Sequence, residues 1–195
     1  YNKYKSNIDL KKVRFAVEGG VFDGEDTKTI YDILSSYQNF NKMFAFDPFL
    51  EIVYENNLDK KLENCEFYEM ALSDKKVSSR FYIDKDNPAN SKIIENFQEE
   101  KNFKLIESIT IDEFSKEKQI PIDLIKLDVE GYEMEVLKGA KNILKKYKPI
   151  IAISIYHKKE HMFEIPEFLL EINDSYNFSI TANNGTFIDM VLFAY

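Results

Sequence analysis

Short apolar runs alternate with longer amphipathic stretches along most of the chain. Short, almost wholly apolar runs are typical of strands buried on both faces, whereas apolar residues that recur at helical spacing are typical of helices. The runs predict strands over 13–18, 43–47, 66–72, 122–129, 150–156 and 178–182. The helical spacing predicts helices over 25–37, 133–146 and around 165–172, and a further helix opened by Pro48.

The alternation of strands and helices predicts an α/β fold with a mostly parallel sheet covered by helices on both faces. The middle, residues 73–120, is less regular, with strands predicted at 77–83 and 103–111. Near the end, Asn184-Gly185 precedes a last apolar run at 187–195, which predicts a hairpin and an antiparallel edge. No linker or repeat is visible, so we expect one domain over residues 1–195. Because the chain starts at Tyr1 without Met, a piece trimmed from a longer protein is one interpretation.

Composition narrows the function classes. The net charge is −8, which argues against nucleic acid as the main partner because phosphate binding favours a basic face. No apolar run approaches the roughly 18 residues of a membrane span, and no signal peptide is visible, so the cytoplasm is the expected compartment. The only cysteine, Cys65, excludes an internal disulfide and a CxxC metal site.

The glycine-rich segment from Glu18 to Gly24 follows the first predicted strand. Ligands of open α/β sheets bind beyond the carboxyl ends of the strands, and glycines such as Gly20 let the backbone approach a ligand closely. The segment is neither the nicotinamide fingerprint nor a P-loop. Its acidic residues, Glu18 and Asp23, would repel a pyrophosphate and attract a cation. The segment therefore favours S-adenosylmethionine over NAD, with a plain turn as the alternative.

The next two strands end in further candidate cofactor contacts. Asp47 follows the second strand, where a carboxylate can accept both hydrogen bonds of a ribose diol. An N-cap for the following helix is the alternative role for Asp47. Ala71 and Leu72 end the third strand, near the expected position of an adenine.

The strand at 122–129 ends in a group of charges. Alternation places Lys126, Asp128 and Glu130 on one side of the extended backbone, and charges there are costly unless paired, hydrated or used. Stabilisation of a helix dipole would account for Glu130 and Glu133 but not for Asp128. We therefore expect functional roles for Asp128 and Glu130.

The fifth main strand leads to His157, one of two histidines in the chain. An imidazole titrates near neutral pH and therefore suits a general base. An exposed loop histidine is the alternative. His161 lies one helical turn further along, and we expect it at the surface.

At these residues the chain resembles the FkbM family of S-adenosylmethionine-dependent methyltransferases over about residues 13–195. The most specific segment, IDLIKLDVEGYEMEVLKGA, is similar to the family's D-x-I-K-x-D-V-E-G-x-E-x-x-V-L-x-G-A. VEGGVFDGEDT is similar to the family's D-x-G-A-x-x-G-x-x-T turn, with Glu18 in place of Asp and Val21 in place of Ala. SITIDEF resembles the segment that leads into the hallmark strand.

The resemblance implies a Rossmann-like sheet of seven strands with a reversed last strand. It implies methyl transfer to a hydroxyl of a sugar, glycan or related small metabolite, as in polysaccharide biosynthesis. It also implies residue roles: the methionine part on Glu18, Gly20 and Asp23, the ribose on Asp47, the adenine beside Ala71 and Leu72, and the reacting groups facing Asp128, Glu130 and His157. The acceptor would bind under residues 74–100 and 157–166.

Asp128 or His157 is the expected base, and we expect no metal. Two carboxylates at Asp128 and Glu130 could alternatively bind a divalent cation together with the acceptor's oxygens. Two other functions stay open. One is a methyltransferase-like subunit that binds cofactor without turnover, and the other is a nicotinamide-dependent sugar enzyme.

Overall fold

The computed structural model describes residues 8–82, 92–94, 103–182 and 190–195. A 3-10 turn at Leu10–Lys12 precedes the first strand. The strands are β1 (Phe15–Gly19), β2 (Lys42–Phe46), β3 (Cys65–Tyr68), β4 (Ala71–Leu72), β5 (Ser78–Tyr82), β6 (Lys92–Ile94), β7 (Phe103–Ile109), β8 (Leu124–Leu127), β9 (Ile150–Ser154), β10 (Phe178–Ala182) and β11 (Met190–Ala194). The helices are α1 (Glu25–Ser35), α2 (Glu51–Glu55), α3 (Leu58–Lys61), α4 (Ile111–Lys118), α5 (Glu133–Lys138), α6 (Lys141–Tyr147) and α7 (His161–Ile172).

Seven strands form the main sheet in the order β3-β2-β1-β8-β9-β11-β10. Every described pair is parallel except those of β11, which runs antiparallel to both β9 and β10. The predicted mostly parallel sheet with a reversed C-terminal strand is therefore confirmed. The Asn184-Gly185 turn lies outside the described residues, but the antiparallel β10–β11 pairing expected around it is present.

The central strands are buried because helices and loops cover both faces of the sheet. Successive side chains of a strand point to opposite faces, so each strand feeds two apolar layers. In β1, Ala16 packs into the layer with Leu34 of α1, and Val17 packs into the layer with Leu137 of α5. The apolar runs in the sequence correspond to these doubly covered strands.

A second sheet of four strands in the order β4-β7-β5-β6 lies beside the main one. It corrects the prediction of one strand over 66–72, because the chain bends at Glu69-Met70 and Ala71–Leu72 then pairs with β7. The strands predicted at 77–83 and 103–111 are found as β5 and β7, where the structure describes them. The sequence therefore predicts these strands but not the sheet they form.

The predicted helix over 133–146 is two helices. The break falls at Gly139, where a Cβ would lie 2.0 Å from the carbonyl oxygen of Ser73. The carbonyl of Gly139 also accepts a hydrogen bond from the backbone N–H of Asp112 at 3.0 Å. The break between α5 and α6 therefore coincides with close contacts of Gly139 with Ser73, just after β4, and with Asp112 of α4.

Two helix starts also differ from prediction. The helix after β2 begins at Glu51, three residues beyond Pro48. The last helix begins at His161 rather than near 165, which brings its first turn to the edge where β9 ends. Among the described residues, no helix is long and apolar enough to cross a bilayer.

Candidate functional site

The ends of β1, β2, β8 and β9 meet at one edge of the main sheet. β1 lies between β2 and β8, and β8 pairs with β9, so the residues that follow these strands are neighbours. A hydrogen bond from the Asp128 N–H to the carbonyl oxygen of Gly19, at 2.9 Å, joins the chain after β8 to the end of β1. The candidate residues therefore collect where open α/β sheets bind ligands.

The turn after β1 has a left-handed backbone at Gly20, Phe22 and Gly24, with φ of 84°, 52° and 80°. Glycine adopts this conformation without a steric penalty, whereas Phe22 does not. A Cβ on Gly20 would lie 1.8 Å from the carbonyl oxygen of Asp128. The turn thus packs backbone to backbone against the strand end that carries the candidate catalytic residues.

Asp47 holds this turn in place. One carboxylate oxygen accepts hydrogen bonds from the N–H groups of Val21 and Phe22, at 2.8 and 3.1 Å. The other oxygen accepts a hydrogen bond from the N–H of Phe49 at 2.8 Å, which gives this backbone donor a partner in the segment that leads to α2. The alternative role of Asp47 as the N-cap of the following helix is wrong, because the N-cap of α2 is Leu50 and no side chain caps it. Its contact with a ribose stays a prediction.

Glu18 lies in the buried interior beneath the turn, within β1. Its side chain is 0% exposed, and its Oε1 lies 2.9 Å from Nζ of Lys126. Lys126 also donates a hydrogen bond to the carbonyl oxygen of Gly20 at 3.0 Å. Burial raises the pKa of Glu18, and the charge of Lys126 opposes that rise. Glu18 thus supports the turn from the protein side, and its contact with a cofactor stays a prediction.

The remaining predicted cofactor residues surround the same turn. Asp23 is partly exposed, and its Oδ1 accepts a hydrogen bond from the N–H of Glu25, the first residue of α1, at 3.0 Å. Ala71 and Leu72 are buried in β4. A methyl group of Leu72 lies 3.0 Å from where a Cβ on Gly19 would stand. Leu72 therefore lies beside the end of β1, and the contact of Ala71 and Leu72 with an adenine stays a prediction.

Asp128, Glu130 and His157 come together. Nε2 of His157 lies 3.6 Å from Oδ1 of Asp128 and 3.4 Å from Oε2 of Glu130. The side chain of His157 is 8% exposed, so the alternative of an exposed loop histidine is wrong. The hydroxyl of Tyr156 donates to Asp128 at 3.4 Å, and its ring packs against the imidazole with centroids 4.1 Å apart. Glu130 is the most open member of the group, with 42% of its side chain exposed.

Glu133 is the residue that sequence reasoning missed. Its side chain is 0% exposed, and its Oε1 accepts hydrogen bonds from the N–H groups of Val129 and Gly131 at 3.1 and 3.3 Å. The same oxygen lies 2.7 Å from Nδ1 of His157. The left-handed backbone at Glu130 and Gly131 turns the start of α5 inward and brings this carboxylate under the imidazole.

His161 contradicts the expectation that it lies at the surface. Its side chain is 2% exposed, and its Nδ1 lies 3.2 Å from Oε2 of Glu133. The helix α7 begins at His161, four residues earlier than the pattern indicates, and this places His161 against Glu133 of α5. The two histidines of the chain therefore flank one buried carboxylate.

These contacts shift the ionisation of the group. Burial opposes the charge on Glu133, but the imidazoles of His157 and His161 lower its pKa to about 2. Burial would lower the pKa of His157, yet Glu133 first, and then Glu130 and Asp128, raise it above its ordinary value. Burial raises the pKa of Glu130, against the effect of His157. The group holds an ionised carboxylate and an imidazole that stays protonated to higher pH than usual.

Metal binding by this group is a separate question. Ligand atoms of Asp128, Glu133 and His157 lie within 4.8 Å of one another, a spacing that a cation could bridge. Oε1 of Glu133 already meets two N–H groups and an imidazole nitrogen, which occupy its lone pairs. A cation there would have to bind Glu133 through its second oxygen, which has no hydrogen-bond partner among the described residues.

Comparisons with known proteins identify the family and the fold of the chain. The sequence model described as "Methyltransferase FkbM domain" matches residues 9–180. No curated protein matches the chain significantly. A solved structure titled methyltransferase FkbM from Methylobacillus flagellatus KT shares 19% identity at a TM-score of 0.71, over 95% of this chain. The chain spans 44% of the length of that protein.

Two more distant structures share the fold. An rRNA methylase from Streptococcus thermophilus has 13% identity and a TM-score of 0.53, with 95% of this chain and 90% of that chain covered. The N-terminal domain of human METTL16, solved in complex with SAH, has 12% identity and a TM-score of 0.51, with 96% and 62% covered. At these identities the likeness concerns the fold alone.

Proposed function

The chain belongs to the FkbM family of methyltransferases, and we propose that it transfers a methyl group from S-adenosylmethionine to a hydroxyl of a sugar, glycan precursor or related small metabolite. The observation that carries the proposal is the position of His157 Nε2 between Asp128 and Glu130, at the sheet edge where the glycine turn packs on Asp128. A group that can accept a proton therefore stands next to the expected cofactor turn.

The residues present fit the cofactor. Asp23 and Glu130 offer partly exposed carboxylates near a turn with three left-handed positions, and S-adenosylmethionine carries a cationic ammonium and sulfonium. When bound, the cofactor supplies a methyl group on a good leaving group. The backbone N–H groups of Val21 and Phe22 are held by Asp47, so the turn is fixed before a ligand arrives. Such preorganisation lowers the cost of binding.

The reaction balances with groups of this chain. The acceptor oxygen forms a bond to the methyl carbon, the carbon–sulfur bond breaks, and its electron pair stays on sulfur. The proton of the hydroxyl passes to the chain, for which Nε2 of His157 and the carboxylate of Asp128 are both in position. Alignment of the acceptor oxygen with the carbon–sulfur bond supplies much of the rate enhancement, and proton transfer to the chain supplies the rest.

The acceptor would enter beside the open member of the group, Glu130. The segment 157–166 borders this opening and is fully described. The other predicted acceptor segment, 74–100, lies partly outside the described residues. A hydroxyl fits this environment because carboxylates and an imidazole can accept its hydrogen bond.

Two other functions compete with this one. A subunit that binds cofactor without turnover has no use for an imidazole held between two carboxylates. A nicotinamide-dependent enzyme would place an anionic pyrophosphate against Asp23 and Glu130, where the charges repel. Both alternatives predict no transfer of a methyl group to any acceptor.

The test is formation of S-adenosylhomocysteine with a panel of sugars, sugar phosphates and nucleotide sugars, each paired with its deoxy analogue. We expect product only with acceptors that keep the hydroxyl. Asp128→Asn should lower turnover by about 100-fold while binding of S-adenosylhomocysteine changes little, because a proton acceptor or its partner is lost. Asp174→Asn, at an exposed position far along the chain, is the matched control. Full turnover by Asp128→Asn with normal cofactor affinity would exclude this role.

A further inference from the structure

Glu133 is placed to control the imidazole at the site. It is a fully buried carboxylate whose only described charged neighbours within ion-pair distance are His157 and His161. A buried carboxylate is costly unless it is paired and hydrogen-bonded. Oε1 of Glu133 has two backbone N–H groups and the His157 imidazole as hydrogen-bond partners, and the His161 imidazole lies within ion-pair distance of Oε2.

The contact with His157 decides which ring nitrogen carries the proton. Nδ1 lies 2.7 Å from an ionised oxygen of Glu133, an acceptor without a proton to give. A neutral imidazole has one N–H, and the nitrogen beside such an acceptor keeps it. The lone pair is then on Nε2, which makes no hydrogen bond with any described residue and faces Asp128 and Glu130.

The same carboxylate fixes the loop that carries Glu130. Its hydrogen bonds to the N–H groups of Val129 and Gly131 span the two left-handed residues, Glu130 and Gly131. The side chain of Glu133 therefore fixes both the conformation of the loop that carries Glu130 and the orientation of the His157 ring. Nδ1 of His161, in the first turn of α7, lies 3.2 Å from the second carboxylate oxygen.

We propose that Glu133 is a positioning residue that holds His157 as the Nδ1–H tautomer. Nε2 of His157 then accepts the proton of the acceptor hydroxyl, a step that rests on the proposed function. His161 supports it by orienting the carboxylate. This assigns the base to His157 and leaves Asp128 to orient the hydroxyl. The charged groups that face His157 are Asp128 and Glu130 from the loop after β8, and Glu133 from α5.

The first test needs no substrate. The chain has two histidines, so a long-range proton–nitrogen correlation spectrum contains two imidazoles, and His161→Asn assigns them. We expect neutral His157 to be the Nδ1–H tautomer and to titrate above its ordinary range. Glu133→Gln should lower that titration point, whereas Glu164→Gln, at an exposed position of α7, should leave it unchanged. A neutral Nε2–H tautomer in the unaltered chain would overturn the proposal even if Glu133→Gln fails to fold.

The second test is the pH dependence of turnover. A base works only when deprotonated, so kcat should rise with pH through the raised pKa of His157. In Glu133→Gln the rise should move to lower pH, and the plateau should fall by about 100-fold with KM for the acceptor nearly unchanged. An unshifted profile would overturn the proposal. If the spectra agree but no acceptor is methylated, the positioning role stands and the proposed function fails.

Discussion

Among the glycines of the site, Gly20 is the one whose position leaves the least room for a side chain. It combines a left-handed backbone with a Cβ position 1.8 Å from the carbonyl oxygen of Asp128. Gly24 has nearly the same φ, but a Cβ there would meet the end of the Leu58 side chain, at 2.3 Å. Side-chain ends can rotate away, whereas the Asp128 carbonyl is fixed between two strand ends.

We therefore expect Gly20→Ala to destabilise the chain clearly more than Gly24→Ala. The left-handed backbone alone costs an alanine about 1–2 kcal/mol at either position. Gly20→Ala must also separate the turn from Asp128. Urea unfolding of the two variants checks this difference. Equal losses would mean that the contact between the turn and Asp128 is looser than the structure shows.

The sequence predicts the position of those site residues that come directly after a strand. Asp128 and His157 follow strands that were predicted, and parallel neighbours bring their ends to one edge. The positions of Glu133 and His161 cannot be predicted in this way, because both residues lie on helices. Their inward direction depends on the turn at Glu130 and Gly131 and on where α7 begins, which the apolar period does not encode.

At the scale of elements, the Glu18–Lys126 pair links β1 to β8. The two residues are in register in the parallel pair, and both side chains are almost fully buried. Lys76 and Glu117 form a comparable contact at 3.1 Å, but both are more than half exposed. Buried and exposed ion pairs differ greatly in what their disruption costs.

Lys126→Met should leave the Glu18 carboxylate buried without a partner and reduce the free energy of unfolding by roughly 3–5 kcal/mol. Lys76→Met, the exposed control, should cost less than about 1 kcal/mol. Adding Glu18→Gln to Lys126→Met should recover part of the loss, because the uncompensated charge is removed. Denaturant unfolding measures all three, and a Lys126→Met variant as stable as Lys76→Met would contradict the buried pair.

The sequence predicts elements better than it predicts their partners. All seven strands of the main sheet are found near their expected positions. The central strands have a distinctive apolar run because they are buried on both faces, whereas the edge strand β10 is largely half-buried or exposed. The break at Gly139 and the second sheet depend on contacts between distant parts of the chain, such as Gly139 against Ser73. A local pattern carries no information about such contacts.

At the scale of the whole molecule, the fold concentrates acidic groups at one edge of the sheet. Asp23, Asp128, Glu130 and Glu133 come from two separate segments, and the strand order β2-β1-β8-β9 brings them beside one turn. The net charge of −8 adds a general attraction for cations. This distribution suits a cationic cofactor and opposes one with a pyrophosphate.

The most direct test of the central claim is calorimetry of the chain with S-adenosylhomocysteine and, separately, with NAD. We expect saturable one-to-one binding of S-adenosylhomocysteine, which keeps the ammonium group and the adenosine, and no binding of NAD. Asp174→Asn should bind like the unaltered chain. Binding of NAD, or no binding of S-adenosylhomocysteine by the folded chain, would contradict the assignment of this sheet edge to S-adenosylmethionine.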